Sequence, residues 1–573
     1  MRKYLQLYRR QLTHYDSLLA YSLLGVVGGV ASGLVVIAFE MAIRATAELW
    51  GVDGGEDFES LPLWLCFALP VIGALVLGAA FSLLKPEDRE VGIVHVLSRM
   101  HSHYGVLPLK NALVQFFGAT FAIATGQSGG REGPGVHLGG AVNSLLGQRL
   151  RLPNNSLQVL IACGTAGGIA AAFNTPLAGV VFAMEVIIAG YSVVGFIPVM
   201  LAAVSASVVS RYLAVSGLLW TVPEVTPASL PEMPLIAVLG LVCGLAAAAF
   251  ITLLRLSARL SHWPIFIRFG LAGLLTGSIA TLVPEVMGIG YDSLGDVLAG
   301  NLAWTLLLSL AACKLLATAV SCGMGMPIGL IGPSLLIGAC LGGLAGIGAE
   351  HLLAEASDNR TLYVMTGMAA VMAAVLNAPL AAMLAALELT DSINVGAAAL
   401  LAIITATLTS QGLFRLRSAH QTVMQQLQRK LPDDPLNQLL HATDVSTRME
   451  ISVSRVPVML PPSSADPLVM APPGWCLVSR DEDDLYLVTG KDLAEWLQAR
   501  EASEDPADLT EADIRRWSVA AVPVQATLRQ AMDTMRHDTV EAVCVYGRET
   551  GGKRVLQGIV TRDSIEKFTL SNL

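Results

Sequence analysis

The chain has 573 residues, 54% of them hydrophobic and 14% charged, with a mean hydropathy of +0.60. So apolar a composition at this length excludes an ordinary soluble protein and fits one that crosses a membrane several times. The net charge of −9 falls mainly in a polar stretch at 413–573, which argues against nucleic acid as a partner.

Residues 1–17 carry Arg2, Lys3, Arg9 and Arg10 ahead of the first apolar run. The basic segment is too long, and the apolar run that follows too extended, for a signal peptide. Basic flanks stay cytoplasmic, so the N-terminus is expected inside. Arg415, Arg417, Arg429 and Lys430 follow the last apolar run and put the C-terminus inside as well. The charge-poor runs lie at 18–48, 62–84, 157–215, 234–284 and 303–412. Many are broken by Gly and Pro and fall short of the ~20 residues of a simple span. They suit discontinuous helices around a cavity. Eight cysteines are scattered without a CxxC or a metal-ligand spacing, so neither a disulfide nor a metal is expected.

Between two such runs lies GQSGGREGPGVHLGG, Gly126–Gly140. Glycines this dense leave backbone N–H groups uncovered. Pro134 suits a first helical turn, which predicts a helix starting at Gly133–Pro134 and running on through Val136, Leu138, Val142 and Leu145. A helix N-terminus inside a membrane is an anion site, and Glu132 lies where the anion would sit. A carboxylate there mimics and blocks the anion. Arg131 reads as a structural donor. The pairs Gly139–Gly140 and Gly342–Gly343 read as close helix packing.

An internal repeat is visible. GTAGGIAAAFNTPLAGVVFAMEV (164–186) matches GMAAVMAAVLNAPLAAMLAALEL (367–389), pairing Asn174, Pro176 and Glu185 with Asn377, Pro379 and Glu388. GREGPGVHLGG (130–140) likewise matches GLIGPSLLIGA (329–339). Two halves, each with a Gly-Pro helix start, mark a transporter built from repeats. The tail repeats too: LYLVTGKDLAEWL (485–497) recurs as LQGIVTRDSIEKF (556–568). Its first copy is irregular at PPSSADP and APPGW.

The GREGP of Gly130–Pro134, with Gly164–Glu185 behind it, resembles the CLC family of chloride channels and chloride/proton exchangers over residues 20–425. The resemblance implies an all-α polytopic membrane protein with the CLC fold, two inverted-topology repeats at 18–220 and 221–425, and a homodimer in a bacterial-type inner membrane. The tail, 440–573, resembles a cytoplasmic α/β CBS pair with a degenerate first copy. Glu132 becomes the gate. Gly130, Arg131 and Gly133 join Leu330 and Ile331 of GLIGP in binding chloride or a related anion. Where many members have GSGIP this chain has EVGIV, with Val91 at the serine position. His420 falls at the family's central tyrosine.

Exchangers of the family carry a second Glu after the first. Here the pair reads Glu185–Val186, so the proton-relay position is lost at Val186. That favours an uncoupled glutamate-gated chloride channel. The alternative is a chloride/proton antiporter using Glu132 with a non-standard proton path. In CBS pairs that bind an adenine nucleotide, an Asp three residues after a Thr holds the ribose. Thr489 and Asp492 match, whereas the second copy has Ser564, so a nucleotide has one candidate half-site and a dimerisation module is the alternative. No other cofactor is expected. An enzyme is disfavoured because no HExxH or Ser/His/Asp spacing occurs, and a non-transporting sensor is disfavoured by the intact gate motif.

Overall fold

The structure is a computed structural model that describes residues 18–188, 193–213, 225–353, 359–429, 440, 443–479, 485–500, 506–548 and 554–571. The basic N-terminal segment 1–17 and the linker at 431–435 lie outside them. Contacts divide the chain into a membrane unit, 16–151 with 156–432, and a second unit that is chiefly 433–573.

In the membrane unit the helices come as two sets of eight in matching order. The first set is α1 (Leu18–Glu48), α2 (Leu63–Ser82), α3 (Gly92–Ser102), α4 (Leu109–Ala124), α5 (Glu132–Leu150), α6 (Asn154–Phe173), α7 (Pro176–Phe182) and α8 (Val193–Tyr212). The second is α9 (Met233–Ala258), α10 (Ile265–Ala280), α11 (Tyr291–Ala299), α12 (Trp304–Gly323), α13 (Ile331–Leu352), α14 (Arg360–Leu376), α15 (Pro379–Thr390) and α16 (Gly396–Thr407). A further helix, α17 (Ala419–Gln426), follows the repeats and packs on α3, α9 and α14. Among the described residues, eight helical stretches are long and apolar enough to cross a membrane. Exposed leucines and valines stud the outward faces of α1, α2, α9 and α10, as lipid contact requires. The protein is a multi-pass membrane protein.

Equivalent helices pack alike. Helix α1 lies on α8 and α9 on α16, while α2 and α10 pair across the repeats. Small residues let the inner helices approach backbone to backbone. A methyl group on Gly168 of α6 would come 2.6 Å from the Gly135 carbonyl oxygen of α5, which leaves it no room. Asn174 and Asn377 both take left-handed backbone angles, φ +58° and +56°, immediately before α7 and α15. Asn tolerates that region better than most residues, which explains its recurrence at both turns.

Among the contacts that cross between the repeats, two sets are reciprocal. Gly130 and Gly329 exchange backbone hydrogen bonds, N–H to O, of 2.7 and 2.8 Å. Glu185 accepts from Leu380 N (3.4 Å) and Ala381 N (2.9 Å) at the start of α15, and Glu388 accepts from Leu177 N (2.9 Å) and Ala178 N (2.8 Å) at the start of α7. Reciprocal contacts of this kind are what a local two-fold axis produces. They fit the inverted repeats that the resemblance implies. Each carboxylate also satisfies N–H groups that a helix start leaves without intrahelical partners.

The second unit holds a six-stranded sheet in the order β1-β3-β4-β6-β7-β8. Strands β1 (Val453–Pro457), β3 (Trp475–Ser479) and β4 (Leu485–Thr489) alternate with α18 (Pro462–Met470) and α19 (Gly490–Ala499). Strands β6 (Trp517–Pro523), β7 (Ala542–Arg548) and β8 (Arg554–Thr561) do the same with α20 (Leu528–His537) and α21 (Arg562–Ser571). Parallel pairs β1–β3 and β6–β7 recur, and β4–β6 joins the copies antiparallel. A short pair, β2 (Met459–Leu460) with β5 (Ala507–Asp508), lies apart. This β-α-β-β-α order, twice, is consistent with a CBS pair. The irregular PPSSADP segment does form a helix, α18, although it contains Pro467 and buries no residue. The missing Pro N–H removes one bond from a two-turn exposed helix, a loss water makes good.

Candidate functional site

The Gly130–Gly329 bridge brings the starts of α5 and α13 together in the interior. Each helix start carries about half a positive charge on free N–H groups. Helix α5 begins at Glu132, one residue before the expected Gly133, so the carboxylate belongs to the first turn itself. Glu132 is 1% exposed. Its side chain leaves its own helix and reaches the other repeat. Gly332 N, in the first turn of α13, donates to Oε2 at 3.1 Å. The Tyr291 hydroxyl, at the start of α11, donates to Oε1. The carboxylate thus occupies the place where two helix termini would cradle an anion.

Gly133 allows the approach. A methyl group on it would lie 2.9 Å from the Gly329 Cα. Leu330 caps α13 and Ile331 opens it; both side chains are buried and apolar. They contribute backbone to the site and no side-chain donor. Arg131 Nε lies 3.4 Å from Glu40 Oε1 on α1, its Nη2 donates to the Ala172 carbonyl at 3.4 Å, and its guanidinium sits 5.2 Å from the centre of the Tyr291 ring. Phe173 packs on the same ring, 6.0 Å between centroids.

Val91 caps α3 without a side-chain bond, and the next residue, Gly92, has φ +76°. The Gly92 N–H donates to Gln115 Oε1 at 2.5 Å. Behind it run His137 Nδ1 to Gln115 Oε1 (3.1 Å), His95 Nδ1 to His137 Nε2 (3.1 Å), and Arg99 Nε to His95 Nε2 (3.1 Å). Arg99 has only protons to give, so His95 accepts at Nε2. His95 then donates through Nδ1 to His137 Nε2, and the Gly92 N–H also approaches His137 Nδ1, at 3.3 Å. Gln115 Nε2 closes the chain on the Pro327 carbonyl at 3.0 Å. Of the N–H groups at the start of α3, that of Gly92 is thus taken up by protein.

His420 sits in α17, 5% exposed, and its Nδ1 is buried without a hydrogen-bond partner. A buried unpaired imidazole nitrogen is costly. Val186 is an apolar side chain in the π-turn Ala183–Ile188 after α7, packed against the main core. Its neighbour Glu185 is engaged as the α15 cap already described. Phe173, Phe182, Ile331, Leu335 and Ala385 are among the residues lining a cavity of about 10 Å³. That is room for one water at most. Thr175 offers its only hydroxyl.

On the other side of Tyr291 a cavity of about 720 Å³ is lined by Glu40, Arg44, Glu48, Glu56, Arg131 and Asp292 among others. Burial pushes the Glu56 carboxyl up to about 7, against the opposing pull of Arg131. Burial, together with Asp292 beside it, pushes Glu59 up to about 8. Lys314 Nζ, fully buried on α12, donates to the carbonyls of Val286 and Gly288, 3.0 Å each, and so props the turn ahead of Tyr291.

In the second unit Thr489 Oγ1 accepts from Asp492 N at 3.2 Å and caps α19, as Thr561 Oγ1 does with Ser564 N at 3.2 Å. The Thr–x–x–Asp/Ser spacing thus has a helix-capping role in both copies. Among the described residues no cluster of His, Cys, Asp or Glu could hold a metal.

Sequence reasoning missed Tyr291, Glu40 and the Gln115–His137–His95 chain. A faint signal for the first existed. Gly290, with φ +83°, precedes α11 as the left-handed Gly92 opens α3, so GIGY is the repeat partner of EVGI.

A two-fold pair of helix starts buried in a bundle of interrupted apolar helices defines a membrane transporter for a small anion. The family described as voltage gated chloride channel matches residues 71–411, more than half of the chain, and the chain belongs to that family, the CLC proteins. The ClcB-like protein of Ralstonia nicotianae is 33% identical over 67% of this chain and 91% of its own length. The H(+)/Cl(-) exchange transporter ClcA of Vibrio vulnificus is 30% identical over 74% and 93%. Among solved structures, that of a eukaryotic CLC transporter covers 97% of this chain and 98% of its own, with a TM-score of 0.56 and 21% identity, a likeness of fold. CLC members are channels and transporters of chloride and related anions rather than enzymes.

Proposed function

We propose that this protein conducts chloride across a bacterial inner membrane as an uncoupled, glutamate-gated CLC channel. The observation that carries the reading is the Glu132 carboxylate docked on Gly332 N of the opposite repeat. Ionised, it fills the anion site; protonated, it loses its hold on the N–H and leaves the site to chloride. Flux rises as external pH falls. His420 and the backbone at Gly130, Gly133, Leu330 and Ile331 are the remaining anion contacts. The homodimer and the cytoplasmic termini belong to the same proposal as the resemblance implies them.

Two features support channel over antiporter. Val186 carries no proton, and Glu185 is held as a helix cap. The antiporter reading draws on the ClcA relative, an exchanger by name. Purified protein in liposomes, with chloride efflux and internal pH followed together, separates them. We expect valinomycin-dependent chloride efflux without uphill proton movement. Stoichiometric proton pumping under a chloride gradient would replace the channel with the antiporter, and absence of efflux would end both.

A further inference from the structure

We infer that Tyr291 is a positioning residue that latches the Glu132 carboxylate over the α13 helix start and so sets the pH at which the pathway opens. The inference rests on the reading of Glu132 as the gate. Both oxygens of that carboxylate are held, and both donors come from the second repeat: Gly332 N for Oε2 and the Tyr291 hydroxyl for Oε1. Nothing in the chemistry of a helix terminus requires the second donor. It adds a hold that is strong on a carboxylate and weaker on a carboxylic acid, because a hydrogen bond to an ionised acceptor is about twice as strong as one to a neutral acceptor. The latch therefore favours the blocked state, and protonation releases it.

The ring is built to stay in place. Tyr291 is 4% exposed and is the first residue of α11, after the left-handed Gly290. Phe173 packs on it from α6, and the Arg131 guanidinium lies over it, anchored in turn on Glu40. A cation over the ring draws electron density from it and makes the phenol a better donor. Gly332 leaves space for this packing. A methyl group there would lie 3.2 Å from Glu132 Oε2 and 3.4 Å from the Tyr291 Cε1. Arg131 thus acts on the gate through the tyrosine rather than as an anion ligand.

Other charged groups border the same region: Glu40 on α1, Glu56 in the loop after it, Asp292 on α11 and Lys314 on α12. Tyr291→Phe leaves all of them unchanged and keeps the ring, so it isolates the hydroxyl. The test is the pH profile of chloride efflux from liposomes for the unmodified protein, Tyr291→Phe, Glu132→Gln and the double variant, repeated in a Glu56→Gln background. We expect Tyr291→Phe to move the half-maximal pH about one unit toward alkaline, with the acid plateau of flux unchanged. Glu132→Gln and the double variant should share one flat profile in the Glu56→Gln background. A tyrosine role in folding alone would lower the plateau and leave the midpoint where it was. If Glu132→Gln is flat and Tyr291→Phe keeps the original midpoint, or moves it to acid, the latch is refuted while the gate stands. A full pH response persisting in Glu132→Gln removes the gate and the latch with it. Should Tyr291→Phe fail to fold, 3-fluorotyrosine at 291, a stronger donor of the same shape, is expected to shift the midpoint to acid, and an unmoved midpoint there refutes the latch equally.

Discussion

Replacing Glu185 with alanine asks whether that carboxylate is a helix cap or a proton carrier. In the structure it accepts from Ala381 N at 2.9 Å and Leu380 N at 3.4 Å. A hydrogen bond to a charged group contributes about 1.5–3 kcal/mol, and the longer of the two adds little. The side chain is half-buried, so water replaces part of what is lost, and about 1–2 kcal/mol is the expected cost, in the range of a deleted N-cap. Glu185→Gln keeps one acceptor oxygen and should lose about half as much. Glu388→Ala, with contacts of 2.9 and 2.8 Å, should cost at least as much as Glu185→Ala. Thermal unfolding in detergent at a fixed scan rate, read by tryptophan fluorescence, gives the ranking. Chloride efflux by whatever survives should keep its pH dependence. If Glu185→Ala unfolds at the temperature of the unmodified protein yet changes the proton flux that accompanies chloride, the cap account is wrong and the residue is a relay.

Four further outcomes are expected. Glu132→Gln should remove the alkaline block while chloride efflux persists; complete loss of efflux in a folded protein would contradict the gate. Gly133→Ala places a methyl 2.9 Å from Gly329 Cα and should cost about 1–3 kcal/mol of overpacking, seen as a lower unfolding midpoint with reduced flux. Burial pushes the Glu56 carboxyl up to about 7; Glu56→Gln should therefore raise efflux a few-fold at pH 8 and leave it unchanged at pH 5.5, a difference that would vanish if chloride did not enter through the cavity that Glu56 lines. Removal of residues 431–573 should leave a protein that still conducts, and loss of all flux from a truncated protein that still purifies as a dimer would make the tail obligatory.

The parts of this site that were legible in the sequence are those that glycine and proline punctuate. GREGP and GLIGP announce helix starts because few other residues suit an uncovered terminus. Glu132 stood out because an ionisable group between apolar runs is rarely idle. The repeat showed Glu185 facing Glu388 as counterparts, but not that each caps the other half's helix. That contact joins residues 196 apart, and no local pattern encodes it. Tyr291 was hidden for the same reason: its partner is 159 residues away, and a tyrosine after two glycines looks like any turn. The Gly92 N–H finds its acceptor in Gln115, 23 residues on, which has no motif of its own.

The crossed carboxylate caps have a consequence for how the protein is made. Glu185 leaves the ribosome 196 residues before Ala381 does. At about 5–20 residues per second, that separation is about 10–40 s of synthesis. Throughout that interval the start of α7 has no Glu388 and Glu185 has no helix to cap. The first half must therefore wait in the bilayer with an unpaired acid and bare amides, which makes it a natural client for insertion factors that shield polar surface. Translation speed across residues 186–381 then sets how long that exposure lasts. A pause engineered there should raise degradation of the nascent chain more than the same pause placed after residue 390.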